Sequence, residues 1–471
     1  MPDSTAAPSP RRTSPTVRRW ILVIAGAAAL AIGIAGVFNR ASAEVVTVSP
    51  LDPALGFNLF VEGDTALAEH EIEGPVATGG DLVVQGLYEV DVHGAADFVY
   101  GDDAEPSALV VGGGIDYGRS TEDGIVRVLN GGYVKIGDLT GSEVINTDEN
   151  NASVDTRVVP EGEGYEGSPR IELTVTQPED SVESSPIDFG TAFSTMRSNS
   201  ATLAACQNTV TMTDSRDWGQ PVAKGEVQPG QQIFIELTAG QTNVLNVTGE
   251  DLNNMADLTF IDQPSADTPL LINVDTSAAG GVFDWDVAPQ AGISGQQAPY
   301  ILWNFNDATD LTIAGGDTVE GSIYAPNADF TDLSITNVEG QIVAANAQIG
   351  TVSDNSGEIH HYPFEAELTC DTEVDPSPTT DEPTTDEPTT DQPTTDHPTT
   401  DEPTTEAPTS GAPTTADSVV PSDIGTDGQR TPAGLSTTGA SLTGLGIAAL
   451  VLVAGGTAAL VASRRRNRST E

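Results

Sequence analysis

Few side chains in this 471-residue chain are equipped for chemistry. It holds five histidines, two cysteines and two lysines against 70 Asp plus Glu. His360 and His361 are adjacent, so on a strand they face opposite sides and cannot both serve one metal. His70 and His93 are the other histidines of the same region, and packing or a hydrogen bond is the simpler role for all four. Acidic runs such as Asp148-Glu149 and Glu161-Gly162-Glu163 offer oxygens to Ca²⁺, which takes roughly six to eight of them, but their spacing matches no known calcium loop. They read as solvated acidic loops. Carboxylates are so frequent that closeness in sequence does not identify a hydrolytic pair. Gly-x-Ser-x-Gly, His-Glu-x-x-His and a phosphate loop are all missing from the sequence. The expectation is a non-enzymatic protein, with no catalytic, cofactor or metal residue assigned.

Lys135 lies between Val134 and Ile136, so alternation predicts that it points out of the core into solvent. Some surface adhesins close Lys–Asn isopeptide bonds, which need a buried lysine beside an acid. An outward Lys135 argues against one. Cys206 and Cys370 are the only cysteines. In an exported chain they are expected to form a disulfide, worth about 5 kcal/mol by the loop-entropy argument.

The elements that would position these residues are announced by repetition. Residues 319–330 read VEGSIYAPNADF and residues 338–349 read VEGQIVAANAQI, 19 residues apart. A looser copy, IEGPVATGGDL, occupies 72–82, and LVVGGGI (109–115) echoes VLNGGYV (128–134) at the same spacing. A short fixed period implies stacked units that bury a continuous core between neighbours. Each copy has a short strand alternation (Ile323, Ala325; Ile342, Ala344) closed by turn residues. Gly321 and Gly340 permit positive φ at a corner, and Ala325, Ala328, Ala344 and Ala347 suit a narrow interior. The predicted fold class is mainly β, a β-solenoid with about three short strands per turn.

Several phrases, in order, resemble a known family. They are FNLFVEGD (57–64), IEGPVATGGDL (72–82), LWNFNDATDLTI (302–313), EGSIYAPNADF (320–330), EGQIVA (339–344) and GEIHHYPF (357–364). Over roughly residues 52–368 the chain is similar to the choice-of-anchor A domain of bacterial surface proteins. That resemblance implies surface display and adhesion, and it implies no catalytic residue.

Around this domain the sequence is organised for export and display. The net charge of −52 argues against a nucleic-acid partner. Residues 1–43 read as a signal peptide. Arg11, Arg12, Arg18 and Arg19 precede the apolar run 20–37, and Ala41-Ser42-Ala43 sets cleavage between Ala43 and Glu44. The domain is expected over 44–370. Residues 371–434 carry a Thr-Thr-Asp-Glu-Pro repeat that cannot pack a core. This segment is expected to be a disordered, extended stalk; at about 3.1 Å per residue it could reach roughly 200 Å.

The C-terminal part has Leu435, Ser436, Thr437, Thr438 and Gly439, then an apolar run at 444–463, then Arg464, Arg465, Arg466 and Arg468. This order resembles the Leu-Pro-x-Thr-Gly sorting signal of Gram-positive wall proteins. It implies sortase cleavage between Thr438 and Gly439 and linkage to peptidoglycan. Ser436 stands where that signal has proline, so a permanent transmembrane helix at 444–463 is the alternative. The partners expected are sortase and peptidoglycan, the membrane, and an extracellular ligand: a matrix protein, a glycan or another cell. A structural coat protein without a ligand is the second functional reading. A polysaccharide-active β-helix enzyme is the third.

Within the domain, residues 188–207 predict one long helix with Phe189, Phe193, Met196 and Leu203 on one face. Residues 140–180 predict acidic loops with one strand at 170–175. Apolar runs at 233–237, 244–247, 258–261 and 270–274 predict strands that either extend the solenoid irregularly or pair beside it. Solenoid ice-binding proteins also carry a long helix beside the rungs, but the Thr-x-Thr ladder of such proteins is not visible here.

Overall fold

The computed structural model describes residues 44–352 and 357–372. The signal peptide, stalk and sorting signal read from the sequence lie outside the described residues.

The repeat is one turn of a three-faced solenoid. Val319–Glu320 lies on one face, and the long strand Ser322–Asp332 bends across the other two. The next turn repeats this with Val338–Glu339 and Ile342–Ile349. The turns stack in parallel register, Glu320 on Glu339, Ile323 on Ile342 and Phe330 on Ala347. Gly321 makes the corner between faces with φ 115°. A Cβ there would stand 2.7 Å from the Cβ of Ile301 and 2.8 Å from its carbonyl oxygen, so the turn below excludes any side chain. Ala325, Ala328 and Ala344 are fully buried in the narrow interior, as expected.

The turns do not stack in sequence order. On the first face the strands run Tyr133–Ile136, Ser107–Val111, Val76–Thr78, Leu59–Val61, Ile342–Ile349, Ser322–Asp332, Ile301–Asn304, Leu270–Asp275 and Asn243–Thr248. The chain therefore enters mid-stack and builds outward to Ile136. It crosses to the other end, then builds back until the turn at 342–349 docks on Leu59–Val61 through Leu59–Ile342 and Val61–Ala344. One interior row reads Leu245, Ile272, Trp303, Ile323, Ile342, Leu59, Val76, Leu109 and Val134. All are at most 1% exposed, and each such burial contributes about 1.5–3 kcal/mol.

Helix α1 (Phe189–Ala204) follows the outward-built turns and lies along the first face. Asp188 caps it, its carboxylate accepting from Thr191 N. Phe189, Phe193, Met196 and Leu203 are buried, as the periodicity predicted. Phe193 stacks on Phe60 with ring centroids 5.6 Å apart and planes 8° apart. Further along, Asn304 and Asn273 donate to the helix carbonyls of Ser200 and Leu203. A short helix α2 (Gly249–Asn254) with a Thr248/Asp251 capping box was not foreseen.

Two expectations change and one open alternative is decided. Residues 140–180 are not loops. Ser142–Thr147 and Ser153–Pro160 form an antiparallel pair, and Arg170–Leu173 continues it onto Ile125–Val128. Val158 and Ile171 supply buried partners that the surrounding acids obscured in the sequence. The echo at 109–115 and 128–134 does stack, but not at the 19-residue offset: Leu109 lies beside Val134, 25 residues on. Residues 231–287 extend the solenoid: Gln231–Ile235 pairs in parallel with Met255–Phe260, and Asn243–Thr248 with Leu270–Asp275. Among the described residues no helix is long and apolar enough to cross a membrane.

Candidate binding face

Helix α1 covers the first face. The second is built by Val282–Val287, Asp310–Gly316, the distal halves of Ser322–Asp332 and Ile342–Ile349, then Thr65–Leu67 and Leu82–Val84, all parallel. Alternation sends Leu311, Ile313, Phe330 and Ile349 inward and leaves two outward rows. One row is Val282, Asp310, Asp329 and Asn346; the other is Asp284, Thr312, Thr331, Gln348, Ala66 and Val83. Asp284, Asp310, Asp329 and Asn346 are exposed, and Thr312, Thr331 and Gln348 are half-buried. Parallel strands at one spacing thus present carboxylate, amide and hydroxyl groups on a regular lattice.

A ladder of hydrogen bonds fixes one edge of this lattice. Asn346 Nδ2 donates to Asp329 Oδ1 at 2.7 Å, and Asn346 Oδ1 accepts from Asp64 N at 2.9 Å. Asp64 Oδ1 accepts from Asp81 N, and Asp81 Oδ1 from Gly114 N, both at 2.9 Å. Each turn's side-chain oxygen thus caps an amide of the next. Gly80 makes this possible, since a Cβ there would meet Asp64 Oδ1 at 2.4 Å. Arg119 closes the edge, donating to Asp64 Oδ2 at 2.6 Å and Asp116 Oδ2 at 2.5 Å. Burial pushes Asp64 up, but the Asp81 amide and the Arg119 guanidinium outweigh it and hold the carboxyl below its usual range. Between Arg119, Val83, Thr331 and Gln348 the surface dips into a shallow hollow. The sequence signal for the ladder is the recurring Gly-Asp of FVEGD and ATGGD.

The third face carries the histidines. His360 Nδ1 lies 2.9 Å from Glu339 Oε1, and Nε2 lies 2.9 Å from Glu358 Oε2. His70 approaches Glu358 at 3.7 Å and His93 approaches Glu73 at 3.3 Å. The hydrogen bond with Glu339 raises His360 to about 9, while burial lowers His361. Burial, with Glu339 close by, raises Glu320 to about 7. His360 and His361 diverge as adjacency required, the latter turning its ring to Asn58 at 3.2 Å. Among the described residues no group of three or more His, Cys, Asp or Glu is arranged to hold a metal. Further along this face Arg127 pairs with Glu89 and Glu172, and Arg157 and Arg170 also meet Glu172, so these charges satisfy one another. Asp148 bonds the amides of Asn150 and Ala152, a turn-forming role.

Two single-residue expectations resolve differently. Cys206 and Cys370 form the expected disulfide, with Cα atoms 5.7 Å apart. It joins the end of α1 to the strand Leu368–Thr372, which pairs antiparallel with Glu44–Val48. Lys135 is a correction. It does point off the interior row, but it is 1% exposed, because the excursion before Ser107 and the segment around Ser181 fold over it.

The profile of a family described as "Putative Ice-binding-like adhesive domain" matches residues 50–361. The chain belongs to this family. No curated protein matches it. Among solved structures it is similar to a glycosylated ice-binding protein from an Arctic yeast, at 12% identity and a TM-score of 0.22, covering 70% of this chain and 95% of that one. It is also similar to an ice binding protein from an Antarctic Biological Consortium, at 10% identity and a TM-score of 0.23, covering 69% and 96%. The ice-binding-like adhesive domain makes this a surface binding module, and a non-enzymatic one is what the family points to.

Proposed function

We propose that the protein is a cell-surface adhesin of the choice-of-anchor A kind whose second face docks an extracellular ligand. The adhesive family match over residues 50–361 carries this reading. The second face supports the choice of surface, since the first is occupied by α1 and much of the third is self-paired. Its regular carboxylates, amides and hydroxyls suit a hydrogen-bonding ligand such as a glycan or a protein surface. The exposed carboxyl groups of Asp284, Asp310 and Asp329 are strongly hydrated, which disfavours ice as the ligand.

In this reading the chain is exported with cleavage between Ala43 and Glu44, and residues 371–434 hold the domain away from the cell. It is retained either by sortase linkage through Thr438 to peptidoglycan or by the helix at 444–463. The test is attachment of cells to matrix proteins, glycan arrays and other cells. Thr331→Arg with Gln348→Arg, which places bulk on the face without entering the core, is expected to lower attachment as far as gene deletion does. Unchanged adhesion on deletion, with a weakened envelope, would instead establish the structural coat.

A further inference from the structure

We propose that Lys135 and Asp103 are joined by an intramolecular isopeptide bond. Lys135 Nζ stands 2.5 Å from Asp103 Oδ2, with the two side chains 1% and 10% exposed. The contact is a buried ion pair whose Oδ2 makes no hydrogen bond of ordinary geometry. The amine nitrogen lies against the carboxyl group and spends a hydrogen on Ser181 O at 2.6 Å. A secondary amide at the same place would keep that donor bond. The rings of Tyr100 and Tyr133 lie 5.8 and 5.9 Å from Nζ and help wall the pair from water. Water exclusion also protects an amide once formed.

The reaction needs nothing beyond the two side chains. One proton passes from the ammonium to the carboxylate. The freed lone pair of Nζ attacks Cγ of Asp103, forming the C–N bond. A carboxyl oxygen then leaves with two hydrogens as water, and the product is a neutral amide bearing one N–H. No oxidant, cofactor or second chain takes part.

The position gives the bond a purpose. Tyr133–Ile136 is the terminal strand of the first face and has one strand neighbour, Ser107–Val111. Its other edge is covered by the Gln177 amide, which bonds both Val134 N and Val134 O, and by Val182 and Ser184 on either side of Ile136. A terminal turn is where a stack begins to unzip. A link from Lys135 to Asp103 would fasten the excursion before Ser107 onto that turn, closing this end covalently as the disulfide secures α1.

Peptide mapping of the full-length protein, reduced, denatured and digested with trypsin, decides the matter. The expected result is a branched species, containing Asp103 in one arm and Lys135 in the other, lighter by one water than its two arms together. Cleavage after Lys135 is lost, and in the denatured chain Lys224 labels with an amine reagent while Lys135 does not. Lys135→Arg is expected to abolish the branched species. Separate linear peptides carrying an unmodified Asp103 and a labelled Lys135 in the wild-type chain would overturn the proposal, whether or not the variant folds.

Discussion

His360 illustrates how one side chain can set a pH response. Its neighbours on the face are Glu339 on the adjacent turn, Glu73 across the docking seam, Glu358 just before its own strand and Glu320 one turn further. Its folded value, about 9, lies above the ordinary histidine value because Glu339 accepts its proton in a hydrogen bond. A raised histidine stabilises fully below its unfolded pKa, near 6.5, and that stabilisation disappears as pH rises through the folded value. The unfolding free energy should therefore fall between about pH 6.5 and 9, by about 1 kcal/mol because the pair is part-solvated. Glu320 adds to the trend at lower pH, since a carboxyl raised to about 7 also favours the folded state in acid. In His360→Gln the fall above about pH 7 should vanish while the decline below pH 7 remains. Urea titrations at a series of pH values measure both, and a variant that keeps the wild-type slope above about pH 7 would rule the assignment out.

Helix α1 does for the first face what neighbouring strands do for the interior. Phe193 is fully buried against Phe60, and Arg197 beside it forks onto Glu62 while its Nε donates to Asn327 Oδ1 at 3.0 Å. Phe193→Ala removes the stacked ring from a packed face and should cost about 3–5 kcal/mol in equilibrium unfolding. Loss below about 1 kcal/mol would mean that the helix docks without this contact. The helix was legible because its apolar residues recur at helical spacing, and the solenoid because corner and strand residues repeat together. What the sequence could not disclose is order in space. Nothing local to Leu59 or Ile342 states that they are neighbours, because the return along α1 makes the stacking non-consecutive. The candidate face was hidden for the same reason, since Asp329, Asn346, Asp64 and Asp81 become one ladder only after that docking. Lys135 was misjudged because alternation tells which side of its own strand a residue takes, not what later folds over that side.

The proposed display on a cell requires the domain to hold together under load, and the strands at Glu44–Val48 and Leu368–Thr372 meet near one covalent tie. Glu44–Val48 and Leu368–Thr372 pair through five registered positions, and Cys370 in the latter is bonded to Cys206 at the end of α1. If the domain is held from its C-terminal side as proposed, tension entering at Thr372 meets both this strand pair and the disulfide to α1. Cys206→Ser with Cys370→Ser should lower unfolding stability by about 2–5 kcal/mol, read as a lower midpoint in denaturant, and a midpoint matching the oxidised wild type would remove the disulfide from this role. The same geometry makes the mode of retention a question about residues 435–471. In the proposed sortase route the Thr438–Gly439 peptide must be presented to the enzyme, and a proline at 436 would supply a presenting bend through its fixed φ. Ser436 leaves the bend to the enzyme. We expect cleavage to proceed, slowed rather than abolished, so that wall fractions contain chains ending at Thr438 joined to peptidoglycan stem residues. Ser436→Pro should then shift any membrane-held precursor into the wall. Mass spectrometry of separated wall and membrane fractions reads both forms. Chains intact to Glu471, confined to the membrane in both wild type and variant, would establish the helix at 444–463 as the permanent anchor.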